Sequence, residues 1–163
     1  MSECSGASLR IIGVGNAFRH DDGAGLLAAQ EISKRLGACP GIAVRTMDGE
    51  GTALMDAWQD AEAVILIDAV ASGAEPGTLH GLDALDRALP DHFFSCSSHS
   101  FGVAEAIALA RTLDQLPTRL VIYGIEGQNF SPGIGLSEAV ERAVTTVVER
   151  VLSQEPILKS VPE

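Results

Sequence analysis

Two apolar runs constrain this chain more than any other feature. Leu9–Val14 is mostly apolar, and residues 63–67 read AVILI, the most hydrophobic run in the sequence. A strand without polar alternation needs cover on both faces, as in a parallel sheet between helical layers. The segments around these runs have the helical period instead. Leu26, Ala29, Ile32 and Leu36 recur at helical spacing over residues 23–36, and Gly37 supplies a stop. Ile42–Met47 predicts a second strand, and residues 52–58 a short helix capped by Thr52. AVILI predicts a central strand ending at Asp68.

The same reading continues to the end of the chain. Residues 78–82 predict a short edge strand, and 83–95 a mixed helix or loop broken by Pro90. Val103, Ala106, Ile107, Ala110 and Leu113 form one helical stripe. Residues 120–123 predict a strand that continues into 124–127. Ser137 caps a last helix whose face carries Val140, Val144, Val147 and Val151. Alternating strand and helix predicts an α/β fold of three layers, a mostly parallel twisted sheet with helices on both faces. At 163 residues the expectation is one domain spanning 1–163, with its core at about 9–152 and flexible tails at 1–8 and 153–163. Aromatic residues are only 4%, so the core has to be aliphatic.

Charge narrows the partners. A net charge of -11 argues against nucleic acid and against anionic membrane surfaces, both of which call for basic patches. The three cysteines, Cys4, Cys39 and Cys96, are odd in number and have no CxxC spacing, which predicts a reducing, cytoplasmic setting. The N-terminus lacks a basic and apolar leader pattern, and no apolar run approaches membrane-spanning length. A monomer is the default expectation.

The chemistry gathers where strands end. GVGNAFRHDDGAG, residues 13–25, joins the first strand to the first helix and holds four glycines, a His and two adjacent Asp. Ligands in parallel α/β sheets bind outside the carboxyl ends of the strands. Asp22 opens the first helix, Asp68 ends the central strand, and His99 stands at the start of a later helix. Two carboxylates and one imidazole suit a divalent transition metal and leave coordination positions open. Each residue also has an ordinary explanation: Asp22 as a partner of the helix dipole, Asp68 as a loop cap, and His99 as a partly buried histidine. His20 and Asp21 flank the first ligand. Asp48, Glu50 and Glu126 follow other strands and are candidates for the same cleft. Cys96 has no evident partner and reads as inert, while Ser97 and Ser98 lack the GxSxG elbow and read as helix-capping residues. A dinucleotide-binding enzyme is the rival reading, because Gly13-Val14-Gly15 follows a strand and Asp48 would suit a ribose. Its third glycine is missing, since Phe18 stands there, and two carboxylates would repel a pyrophosphate.

Taken with DGEGTALMDAW (48–58), ILIDAVASGAEPGTLH (65–80), SSHSFGVAEAIALA (97–110) and YGIEGQNFSPGIGLSEAV (123–140), the first motif makes the chain resemble the [NiFe]-hydrogenase maturation endopeptidases. The motifs occur in the family's order and cover most of the chain, leaving 83–95 and the region beyond Leu152 unmatched. The resemblance implies a cytoplasmic endopeptidase, an aspartate- and histidine-site hydrolase. It would remove the C-terminal extension of a hydrogenase large-subunit precursor after nickel insertion and so activate the hydrogenase. It also implies that Asp22, Asp68 and His99 serve both as metal ligands and as catalytic residues, with Zn or Cd able to occupy the same site. The nickel would be presented by the precursor. A non-enzymatic, nickel-dependent checkpoint that binds the large subunit without cutting it remains the alternative within this resemblance.

Overall fold

The computed structural model describes residues 9–85, 94 and 100–154. Its strands are β1 (Leu9–Val14), β2 (Ile42–Met47), β3 (Ala63–Val70), β4 (Leu79–Asp83) and β5 (Arg119–Glu126). Its helices are α1 (Ala24–Leu36), α2 (Gly51–Trp58), α3 (Val103–Thr112) and α4 (Glu138–Gln154). A single 3-10 turn, His20–Gly23, precedes α1. The strands form one sheet in the order β2-β1-β3-β5-β4, parallel except for β4, which runs antiparallel to β5 at one edge.

Alternation along β3 divides the core. Ala63, Ile65, Ile67 and Ala69 face α1 and α4, packing with Ala24, Ala28, Ile32, Val140 and Val147. Val64, Leu66 and Val70 face α2 and α3, packing with Leu54, Trp58, Ala106 and Ile107. Every residue of β3 is buried, as a run without polar alternation requires. The three-layer α/β expectation is met.

Several expectations change in detail. β3 does not stop at Asp68 but runs on to Val70, because β5 keeps pairing with it through Asp68↔Gly124, Ala69↔Ile125 and Val70↔Glu126. β1 leaves β3 one residue before Asp68, at Gly13↔Ile67. The cap of α2 is Glu50 rather than Thr52: its carboxylate accepts from the Thr52 and Ala53 N–H groups, both at 2.9 Å. Leu113 falls at the end of α3, where the helix has stopped, and is exposed.

The glycines of the first motif serve the chain's own packing. A methyl on Gly25 would overlap the carbonyl oxygens of Ile67 and Val14, and one on Gly13 would overlap the Gly25 carbonyl and Ala29. Their absence lets α1 lie directly on the carboxyl ends of β1 and β3. Both contacts of a Gly25 methyl are to strand backbone, so relieving them needs a backbone shift. Gly25→Ala is therefore expected to cost about 3 kcal/mol, the upper end for overpacking a core. A lowered urea midpoint with an unchanged slope would be the observation.

Candidate functional site

Four acidic side chains are buried among the described residues: Asp21, Asp22, Asp68 and Glu126. A buried carboxylate is costly unless donors or cations meet it. How each of the four is met separates structure from chemistry.

Asp21 is met completely by the chain itself. One oxygen accepts from Gln128 N–H and Asn129 N–H, both at 2.8 Å, and from the Ser137 hydroxyl at 2.8 Å; the other accepts from Ser137 N–H at 2.7 Å. Burial pushes this carboxyl up, but the hydrogen bonds outweigh it and hold the group below the ordinary carboxylate range. The Asp21 carboxylate thus ties the loop between β5 and α4 to the turn before α1. The neighbouring backbone reinforces the tie. Asp21 N–H donates to Asn129 O (2.9 Å), His20 N–H to Gly133 O (2.9 Å) and Gly133 N–H to Phe18 O (2.8 Å). His20 takes a left-handed φ of 46°, and its ring Nδ1 donates to Gly135 O at 3.0 Å. Ser137 precedes α4 as expected, with its hydroxyl given to Asp21.

Glu126 is met in the same way. It accepts from Ser72 N–H at 2.9 Å, from the Ser72 hydroxyl, and from His80 Nε2 at 3.2 Å. That pins the loop after β3 to β4 and β5, so Glu126 is a loop clamp rather than an open cleft residue. Glu50 is occupied in capping α2, and Asp48 accepts from Glu50 N–H at 3.0 Å.

Asp22 and Asp68 are left differently. Asp68 lies just beyond the last β1–β3 pair, where neighbouring strands leave toward opposite sides of the sheet. Such a crevice is where open α/β sheets bind ligands. Burial lifts the Asp68 carboxyl well above its ordinary range, and the charge of Asp22 lifts it further; a hydrogen bond from the Ala69 backbone opposes both. No ion pair reaches Asp68 among the described residues. Burial also raises Asp22, against the pull of Arg19, whose guanidinium stands 3.6 Å away, and a hydrogen bond from the Asn16 backbone. Gly15 makes this placement possible, because a side chain there would collide with the Asp22 carbonyl. The fold therefore brings two of the three expected ligands together. His99, Cys96, Ser97 and Ser98 lie outside the described residues.

Only tertiary partners separate the adjacent Asp21 and Asp22. The signal in the sequence was limited to a second Asp beside the first and a Ser more than a hundred residues away. Asp21→Asn would aim an amide N–H₂ at a cluster of donors. It is expected to cost about 2–3 kcal/mol at neutral pH. Because the folded pKa of Asp21 lies below the unfolded one, its contribution is present above the ordinary carboxylate pKa and lost as pH falls through the folded value. The gap between variant and parent should close in acid, as read from urea midpoints across pH.

Asp68 has the opposite sign. Its raised folded pKa favours the protonated form, so its contribution is full below the ordinary carboxylate pKa and lost as pH rises through the folded value. Asp68→Asn is expected to raise the thermal midpoint of the metal-free protein at pH 8. The gain should shrink as the pH is lowered toward about 4.

Comparison with known proteins gives the family and the fold. A family model described as hydrogenase maturation protease matches residues 29–154. The hydrogenase 2 maturation protease of Escherichia coli is 30% identical over 148 residues, covering 88% of this chain and 87% of that protein. The hydrogenase expression/formation protein HoxM of Cupriavidus necator is 27% identical over 142 residues, covering 85% and 69%. Among solved structures, the hydrogenase maturating endopeptidase HybD from E. coli superposes with a TM-score of 0.70 at 24% identity, covering 89% of this chain and 90% of that one. A solution structure of an endopeptidase from E. coli reaches 0.78 over the same shares. With the family model and the E. coli relative each spanning most of its length, this chain belongs to the hydrogenase maturation proteases.

Proposed function

We propose that this protease removes the C-terminal extension of a [NiFe]-hydrogenase large-subunit precursor once nickel has been inserted, and that it recognises the precursor's nickel through Asp22, Asp68 and His99. The observation that carries the reading is Asp68. It is a buried carboxylate at the sheet crevice, beside a second raised carboxylate and with no ion pair of the chain's own among the described residues. A divalent cation brought by the substrate would supply the positive charge that the described residues do not. Two carboxylates and an imidazole are a donor set that fits nickel and leaves positions for the precursor's own ligands.

The roles of the residues follow. Asp22 and Asp68 attract the cation in a water-poor setting, where charge interactions exceed those at the surface. Arg19 restrains Asp22 from one side, and the Asp21 clamp fixes the turn that carries it. His99 would contribute the third donor. When bound, the substrate's nickel supplies Lewis-acid polarisation of a carbonyl or of a water. The described residues need only bind and orient the precursor, Arg19 favouring the ionised form of Asp22 and an arriving cation that of Asp68, and no Ser or Cys nucleophile enters this reading.

Purified protein incubated with nickel-loaded precursor is expected to shorten it, as followed by mass spectrometry. Asp22→Ala, Asp68→Ala and His99→Ala are each expected to abolish shortening while circular dichroism stays that of the parent. Binding without any change in precursor mass would establish the checkpoint reading instead. Parental activity in all three variants would remove these residues from the site.

A further inference from the structure

Six large hydrophobic side chains are exposed among the described residues, and two of them share one place. Phe18 is 70% exposed and Ile134 is 78% exposed. They come from separate loops, after β1 and after β5, which both leave the carboxyl edge of the sheet. The loops are joined beneath them: Gly133 N–H donates to Phe18 O at 2.8 Å, and Arg19 bridges to Gly133. Phe18 stands four residues before Asp22, and Arg19, next to it, touches the Asp22 carboxylate.

This pair is held in place as well as exposed. The buried Asp21 carboxylate binds the Ile134 loop at three backbone N–H groups and one hydroxyl. A disordered tip can wave an apolar side chain at little cost. A loop anchored on a buried charge presents it in one position, and rigid, pre-placed aromatic and aliphatic groups are the usual anchors of a binding surface. Apolar groups gathered outside a core mark contact sites.

We propose that Phe18 and Ile134 form a docking prong for the hydrogenase large-subunit precursor, which they engage at an apolar patch flanking the segment to be cut. This rests on the function proposed above. The occupant follows from position. A precursor that delivers its metal to Asp22 and Asp68 has to approach the carboxyl edge of the sheet, and the prong stands on that edge beside Asp22. Two carboxylates can select a cation but say little about the chain carrying it, so the apolar prong adds protein selectivity to metal selectivity.

The test is the double variant Phe18→Ser/Ile134→Ser, compared with parent and with Asp68→Ala. Calorimetric binding of nickel-loaded precursor and processing kinetics are measured for each. The double variant is expected to lose at least about tenfold in affinity, the scale of hot-spot truncation, and to raise KM with kcat retained. Its thermal midpoint should match the parent, since both side chains are exposed. Parental affinity and KM in the double variant would overturn the prong and leave the protease reading intact. Binding that weakens in the double variant, while the parent never cuts, would support the prong and reject the protease reading. Self-association of the parent on size exclusion that the double variant abolishes, with precursor affinity unchanged, would assign the patch to a second copy and overturn the proposal.

Discussion

The candidate site depends on the Asp21 carboxylate. One buried charge gathers three backbone N–H groups and a hydroxyl from a loop more than a hundred residues away. Without it, the turn before α1 and the loop before α4 would be joined only by a few backbone bonds and by the His20 ring. With it, they form one rigid rim along the carboxyl edge of the sheet. The glycines act in the same direction. Gly13 and Gly25 let α1 sit on the strand carbonyls, and Gly15 lets the chain fold back onto the Asp22 carbonyl. Asp22 is thereby delivered to the crevice by packing and by hydrogen bonds that do not involve its own side chain.

The four buried acids show a division of labour. Asp21 and Glu126 are satisfied by the chain's own donors and hold loops. Asp22 and Asp68 are buried to a similar degree and receive much less. Burial and the neighbouring Asp22 charge both push the Asp68 carboxyl toward its protonated form. Among the described residues no ion pair offsets Asp68. The sequence places Asp22 and Asp68 at strand ends, but how each of the four acids is met is set by partners in space.

Legibility in the sequence follows the same division. β1 and β2 match their expected bounds because apolar side chains define them locally. β3 was read two residues short, since its last residues are extended by pairing with β5 rather than by any signal of their own. The face of α4 was legible from spacing; that of α1 was legible only in part, because the core takes Ala24 and Ala28 while Leu26 is half-buried. Leu113 was not legible, because the end of α3 rather than its period decides that position. At the site, Asp22 and Asp68 stood out as acids at strand ends. The clamping roles of Asp21, Glu126 and Ser137 could not be read, because each depends on donors brought from distant segments. Glu50 took the cap expected of Thr52, whose side chain starts one residue inside the helix.

The glycine-rich turn shows how far composition misleads. Four glycines before a helix suggest a surface kept bare so that a ligand's backbone or phosphate can approach. In this fold Gly13, Gly15 and Gly25 are filled by the protein's own carbonyls and side chains. The space is used internally, and the approach of a substrate has to be met elsewhere on the edge. A dinucleotide reading loses its footing for the same reason. The helix end that would receive a pyrophosphate already carries one carboxylate in a closed clamp and another raised by burial. An anion brought there would meet negative charge with no spare donor from Asp21's partners. A cation meets the one group in the crevice that folding leaves without an ion pair among the described residues.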